Sequence, residues 1–469
     1  MKVINREQAL AIHAAALEVL ETIGVNMKHQ DVRRMLLDGG CRAGKDGWVH
    51  IPSSLVEDAL KSAPRQIALY DQLGNEAMSL VDDNLFYGTG SDATFTLDLE
   101  TGDRRRSRLQ DTANFARLVD GLGNISFAMS MSNPEDAPVD SIYVYSFAEM
   151  VKNTNKPIVF IADSARDLAK IHEIACAVTG GEENLRQKPF LLNYSEPISP
   201  LRFPAQVMDK LVFCAQKEIP VCLPSGANAG GGAPVTLAGA LALGIAENLA
   251  ALTIHQLTRR GAPFLFGPNV SALDMRTGII SYGCPEWSLT QAALAQMRDE
   301  IYGLPVWAFA GATDSKAMDA QAGAESMFSI ATSMLSRCNL IHDVGYIEFS
   351  NTSCLEMVTM GNELVAMCKF FVQGIPVNED TLAIDAIRRV GTGESGEIFL
   401  SDEHTFKHFR TAQFLPRLLN RSYYDEWVKE GGMDLYKRCN LETKRVLAEH
   451  EVRAKPLDVL NSIQKIIEA

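Results

Sequence analysis

The chain has 469 residues, of which 46% are hydrophobic and 22% charged, and its formal net charge at pH 7 is -14. Such a length exceeds one small domain and suits a large barrel with additions or a pair of domains, with enough apolar residues for a sizeable core. The acidic balance excludes a nucleic-acid binder, which needs a basic face; no run of about 18 apolar residues predicts a membrane span.

The N-terminal stretch MKVINREQALAIHAAALEVL becomes amphipathic at once and reads as a helix, not as a signal peptide. Residues 1–83 are expected to form an N-terminal helical/β cap. Its first helix shows apolar positions Leu10, Ala14, Leu17, Leu20 and Ile23 and is closed by Gly24. A second helix starts at Ile51–Ser54, with Ser53 or Ser54 as N-cap, and extended pieces follow at Gln66–Tyr70 and Ala77–Val81. Over residues 84–375 the pattern becomes regular. Eight short apolar or β-branched runs appear: Leu85–Gly88, Ser126–Ser130, Ile158–Ile161, Phe190–Tyr194, Val221–Leu223, Phe264–Gly267, Val306–Phe309 and Leu340–His342. Helical stretches such as Asp111–Leu122, Ser141–Thr154, Ala205–Lys217 and Val235–Arg260 separate them. Eight alternating βα units over about 260 residues predict a (β/α)₈ TIM barrel of the α/β class. A doubly wound sheet is the rival, but no GxGxxG follows the first run and no GxxxxGK[ST] occurs. Leu355–Gln373 reads as the closing helix. Residues 376–469 read as a C-terminal helical extension, with helices at Leu382–Val390, Phe409–Asn420, Tyr424–Val428 and Leu441–His450 and a loop at Gly391–Gly396. The nine cysteines, scattered from Cys41 to Cys439 without CxxC spacing, fit reduced thiols in a cytoplasmic chain.

Barrel chemistry collects after the C-terminal strand ends, and those ends are polar here: Gly90-Ser91-Asp92, Ser132-Asn133, Tyr194-Ser195-Glu196, Ser225-Gly226-Ala227-Asn228, Gly267-Pro268-Asn269, Gly311-Ala312-Thr313-Asp314 and His342-Asp343. Each has a plainer reading. Asp92 closes a turn with its own backbone, His342 is a satisfied core histidine, and Asp314 is a helix N-cap. Gly230-Gly231-Gly232 before a long helix reads as a mobile loop or as a phosphate cradle. His404 and His408 share a helical face beside Asp402 and Glu403 but follow no metal motif, so no metal site is expected. Lys316 is a candidate Schiff-base lysine, the feature of a lyase reading.

The stretch GGAPVTLAGALALGIAE from Gly231 to Glu247 resembles the trimethylamine methyltransferase superfamily. So do Leu273-Asp274-Met275-Arg276-Thr277-Gly278, Cys284-Pro285-Glu286, Gly90-Ser91-Asp92-Ala93, Asp314-Ser315-Lys316 and Asp319-Ala320-Gln321. The resemblance covers nearly the whole chain and implies a (β/α)₈ barrel. Founding members act on trimethylamine and carry pyrrolysine; this sequence holds only the twenty common residues. Members lacking pyrrolysine act on betaines (glycine betaine, proline betaine, carnitine, γ-butyrobetaine), and the chain is most similar to the glycine betaine type. The resemblance thus implies methyl transfer from a quaternary amine to the Co(I) corrinoid of a partner protein, with cobalamin carried by that partner and no cofactor held tightly by this chain. It implies roles for Asp92 and His342. Recognition of a quaternary ammonium by aromatic faces and carboxylates adds Tyr87, Phe95, Tyr194, Tyr282 and Phe349. Ser91, Gly226, Asn228, Gly311 and Asp314 complete the expected substrate site. A homo-oligomer is expected, and a betaine-binding sensor on the same fold is the non-enzymatic alternative.

Overall fold

The computed structural model describes residues 1–392 and 398–469. The loop expected at Gly391–Gly396 therefore lies largely outside the described residues. Among the described residues eight strands form the centre: β1 Phe86–Gly88, β2 Ile125–Phe127, β3 Ile158–Phe160, β4 Leu191–Tyr194, β5 Val221–Cys222, β6 Phe264–Leu265, β7 Trp307–Phe309 and β8 Leu340–His342. Each lies within one of the eight runs read from the sequence, except that β2 begins one residue earlier. All neighbours pair in parallel. β3–β4–β5–β6 and β7–β8–β1–β2 make two arcs. The bridges Ala128–Ile158 and Phe266–Val306 join the arcs at both seams and close the barrel.

A helix follows each strand: α1 Leu109–Gly121, α2 Ile142–Asn153, α3 Ala165–Thr179, α4 Ala205–Lys217, α5 Leu237–Thr258, α6 Pro285–Met297, α7 Ala320–Ser336 and α8 Leu355–Val372. Side chains alternate across the strands. Ile125, Ile158, Leu191, Val221, Phe264 and Ile341 face the helices, whereas Phe127, Val159, Leu192, Cys222, Leu265, Trp307 and Leu340 point inward.

That interior is filled from below by an antiparallel hairpin, Ile67–Tyr70 with Glu76–Leu80, whose Ile67, Leu69, Met78 and Leu80 join the inward set. Tyr70 N–H donates to Pro189 O and Gln72 N–H to Asn155 O, both just ahead of a barrel strand. The hairpin therefore stoppers the N-terminal end, and the cup opens at the C-terminal strand ends.

The remaining N-terminal segment covers α5. Helices Arg6–Glu18 and Ser53–Ser62 pack on it opposite the barrel. This explains a helix that is apolar all round and long enough to cross a membrane by composition: its residues from Ala240 to Gln256 are all buried inside the protein. Helices Leu435–Glu449 and Leu457–Glu468 brace the barrel from outside, the first against α1 and α8, the second against α2 and α3.

Three local expectations are corrected. The buried stripe of the first helix is Ala9, Ile12, Ala16 and Leu20, while Leu10 and Ile23 are exposed. A π-helical turn at Val19–Ile23 shifts the phase there. Ser53 and Ser54 lie inside their helix, which Pro52 precedes without a side-chain cap. Phe409–Asn420 is not one helix: the helix runs Glu403–Ala412, ahead of Pro416.

Because Leu69 is fully buried among the inward barrel residues, Leu69→Ala is expected to cost about 2–5 kcal/mol. Urea unfolding reads this as a lower midpoint; a change under about 0.5 kcal/mol would show that the hairpin is not integral to the core.

Candidate active site

The loops after the strands bring four polar side chains together at the open end. From β1, the chain passes through Thr89 and Gly90 to Asp92. A Cβ at Gly90 would collide with the Asp343 carboxylate and the Tyr346 ring, so only glycine lets the β1 loop run this close to the end of β8. Asp92 itself adopts a positive φ of 67°. Seven of the twelve non-glycine residues with positive φ sit in these upper loops: Asp92, Met131, Leu201, Asp343, Glu348, Phe349 and Ser350. Strained backbone gathers at the mouth, as it does at sites whose geometry the fold imposes.

The Asp92 carboxylate accepts a hydrogen bond from Tyr143 Oη at 3.1 Å and is further bonded by Asn133 and Ser91. Glu196, two residues beyond β4, accepts from Tyr194 Oη. Both acids keep exposed surface, yet protein encloses them so deeply that burial raises their pKa values, Glu196 to about 7. Surface of that kind belongs to the wall of a recessed bowl. At its floor lie His342 and Asp343, both buried. His342 stacks on Trp307 with ring centroids 4.3 Å apart, and Tyr194 lies 5.4 Å from the same indole. Tyr282, half-buried, packs on Phe309 and Trp287 at the opposite wall.

The protonation pattern follows from these environments. Burial drives His342 down to about 4, so the ring is neutral at pH 7. Its Nδ1 lies 2.8 Å from Ala308 O, a carbonyl that only accepts, so Nδ1 carries the proton. Nε2 is then a bare acceptor facing Asp343 Oδ2 at 3.4 Å. Burial, followed by the charges of Glu196 and Asp92, pushes the Asp343 carboxyl well above its ordinary range. Burial thus disfavours charge on both members of the His342–Asp343 pair. Glu196 ionises near neutrality, and Asp92, raised by burial, is drawn back down by its hydrogen bonds with Tyr143, Asn133 and Ser91. The nearest cation is Lys210, which donates to Ala162 O at 2.7 Å and feels Asp163 more strongly than Asp92.

The expected site residues divide accordingly. Asp92, His342, Tyr194 and Tyr282 converge on the bowl, with Ser91 bonded to Asp92. Tyr87 is corrected: it faces outward, its hydroxyl bonded to Ile330 O and Ser333 on α7. The Phe95 ring is already faced by the Arg104 guanidinium at 3.4 Å, and Phe349 by Lys316 at 5.5 Å. Asp314 neither caps a helix nor faces the bowl; its carboxylate ties down Ser281, Tyr282 N–H and Gly283 N–H, and Asp319 caps α7 instead. Asn228 is used at both ends, by Gly226 O and Ser271, which also engages the Gly226 carbonyl. The Gly311 N–H goes to Ser329. The Gly-rich run is not a phosphate cradle, since Gly230 and Gly231 N–H groups donate within their own turn. Lys316 is exposed and bonded to Asp314 O, which gives no support to a Schiff-base role. His404 and His408 both engage Asp380, and no group of potential metal ligands occurs among the described residues. The sequence reading passed over Glu196, Asp343, Tyr143 and Trp307 as individual site residues; the signal for the first two was their place directly after a strand end.

A family model described as trimethylamine methyltransferase (MTTB) matches residues 1–468. Trimethylamine methyltransferase MttB of Desulfitobacterium hafniense (strain DSM 10664 / DCB-2) is 31% identical over 463 residues, covering 98% of this chain and 92% of that protein. Glycine betaine methyltransferase of Desulfitobacterium hafniense (strain Y51) is 30% identical over 468 residues, covering 99% and 96%. Among solved structures, the hydroxylamine complex of MtmB aligns over 95% of this chain and 93% of its own at a TM-score of 0.50 and 11% identity, a likeness of fold alone.

Gly90→Ala forces a methyl group into Asp343 and Tyr346, an overpacking worth about 1–3 kcal/mol. The variant is expected to keep its circular dichroism spectrum and lose most of its turnover; unchanged turnover would show that the β1 loop need not approach β8.

Proposed function

Since the chain belongs to the trimethylamine methyltransferase (MTTB) family and is a methyltransferase, we propose that it moves a methyl group from a quaternary amine to the reduced corrinoid of a partner protein. The observation that carries this reading is a recessed bowl with two buried-side carboxylates, aromatic walls and no paired cation. A quaternary ammonium has no N–H to donate and is held by ring faces and by diffuse negative charge; Tyr194 and Tyr282 supply the faces, Asp92 and Glu196 the charge. Glycine betaine, to which the resemblance points, is one member of that substrate class.

The partner's corrinoid supplies the nucleophile that takes the methyl group. The residues of this chain hold the donor still and keep water away, which is where most of the acceleration of such a displacement lies. The carbon leaves nitrogen with the C–N electron pair retained on nitrogen, so the departing amine is neutral and requires no proton. That suits a site whose histidine is neutral and whose one buried acid is turned toward that histidine. The cationic nitrogen is its own activation, and no unusual amino acid is needed. The mouth opens away from the hairpin stopper, so a docked partner reaches the bowl from the C-terminal side. Self-association is supported by exposed apolar side chains of the C-terminal extension, among them Val377, Leu400 and Phe406.

Asp92→Ala is expected to fold normally and to lower methylation of Co(I) corrinoid protein, followed in the visible spectrum, by roughly 10²–10³-fold, the scale of removing one preorganised electrostatic group. Wild-type rates in that variant would remove Asp92 from the site. No methylation by the unaltered chain across a panel of quaternary amines would overturn the reading itself.

A further inference from the structure

The geometry points to a substrate with net positive charge: a quaternary ammonium whose remaining arm is uncharged, such as a hydroxyalkyl group, and not a betaine bearing a carboxylate. This rests on the proposed function and narrows it.

The argument is an inventory of what the bowl offers a second charged group. A bound carboxylate needs donors, preferably cationic ones. Most are committed. The Tyr143 hydroxyl is spent on Asp92, that of Tyr194 on Glu196, and that of Tyr346 on Met131 O at 2.8 Å. The Tyr282 hydroxyl has the Ser350 side chain beside it. His342 Nδ1 is held by Ala308 O, and its Nε2 lies 3.4 Å from Asp343 Oδ2. Asn228 is bonded to Gly226 O and Ser271, and the Gly230 and Gly231 N–H groups are committed to their own turn. Lys210 is turned to Ala162 O behind Asp92.

Against this stand the acids. Glu196 is faced by Asp92, Glu247, Asp343, Tyr194, Tyr282 and Cys222, a set without a cation. A cationic nitrogen relieves that crowding, whereas a substrate carboxylate brings another negative charge into it. The Ser132, Ser225 and Ser350 hydroxyls of the surrounding loops have no partner, and at the floor a further donor is unspent. The indole N–H of Trp307, buried beside His342 and Tyr194, has no partner. Such neutral donors suit a hydroxyl or ether oxygen and hold a carboxylate less well than a cation would.

The test is binding, measured apart from turnover. Isothermal titration of the whole chain uses choline, tetramethylammonium, glycine betaine and the neutral isostere 3,3-dimethylbutan-1-ol. Choline is expected to bind at least tenfold more tightly than glycine betaine and than the neutral alcohol. Choline affinity should rise severalfold from pH 6 to pH 8, as Glu196 loses its proton near pH 7. Glu196→Gln, close in shape, should weaken choline about tenfold, erase that pH dependence and leave glycine betaine unweakened; its melting temperature reports whether the fold is kept. Glycine betaine binding as tightly as choline, or choline affinity flat with pH and indifferent to Glu196→Gln, overturns the inference. If glycine betaine is also a methyl donor to Co(I) corrinoid in that case, the proposed function stands while this narrowing falls; if choline binds as stated but no amine donates its methyl group, the narrowing stands as a binding property and the proposed function falls.

Discussion

Two carboxylates, Asp92 and Glu196, held inside a protein mouth with no cation fixed between them, are the condition around which the site is arranged. Such charge is costly to enclose, and ordinary folding would pair it or leave it on the outer surface. Among the described residues the cation that acts on Asp92 is Lys210, which donates to Ala162 O and feels Asp163 more strongly than Asp92. The unfavourable electrostatics of the empty bowl become favourable attraction when a cationic substrate enters, so affinity is built in by withholding a partner.

Closure of the barrel is what allows this. Each strand contributes only two to four residues of ladder, but a closed ring with the lower interior filled by the Ile67–Leu80 hairpin leaves one end for solvent and ligand. The inward layer of Phe127, Leu192, Leu265, Trp307 and Leu340 forms a dry base, and on that base sits the His342–Asp343 pair. Burial there disfavours charge on both groups, and Trp307 stacked beside the imidazole fixes its plane. Gly90 then permits the first and last strands' loops to touch, which sets the spacing between Asp92 and the floor.

Much of this architecture is legible in the residues. All eight strands were marked by short apolar runs, and the helices between them by amphipathic spacing; the polar strand ends located the mouth. Side-chain direction was harder. Tyr87 looked like a cage residue because it is an aromatic side chain in a strand that leads into a polar loop, but in a three-residue strand one step of register decides between bowl and helix layer, and it is Phe86 that packs toward the interior. Asp314 and Asn228 are polar residues in the right loops whose capacity is consumed by neighbouring backbone and serine, which no linear pattern reveals. Glu196 and Asp343 were visible as strand-end acids, yet their weight comes from mutual proximity across the barrel, between β4 and β8, and that is a property of closure. The first helix's buried face was misassigned because its inward stripe uses the small Ala9 and Ala16 rather than Leu10; the π turn shifts the phase only at its end, toward Ile23.

The most direct measurement is fluorine NMR of the chain labelled with 5-fluorotryptophan, whose four indoles lie in different regions: Trp307 and Trp287 around the bowl, Trp48 near the N-terminus and Trp427 in the C-terminal extension. Resonances assigned by single Trp→Phe replacements are followed while a quaternary amine is titrated in. The account requires the Trp307 signal to move most, Trp287 to follow, and Trp48 and Trp427 to stay in place. A saturable shift at Trp48 or Trp427 with Trp307 unmoved would put the amine elsewhere and contradict the site described here.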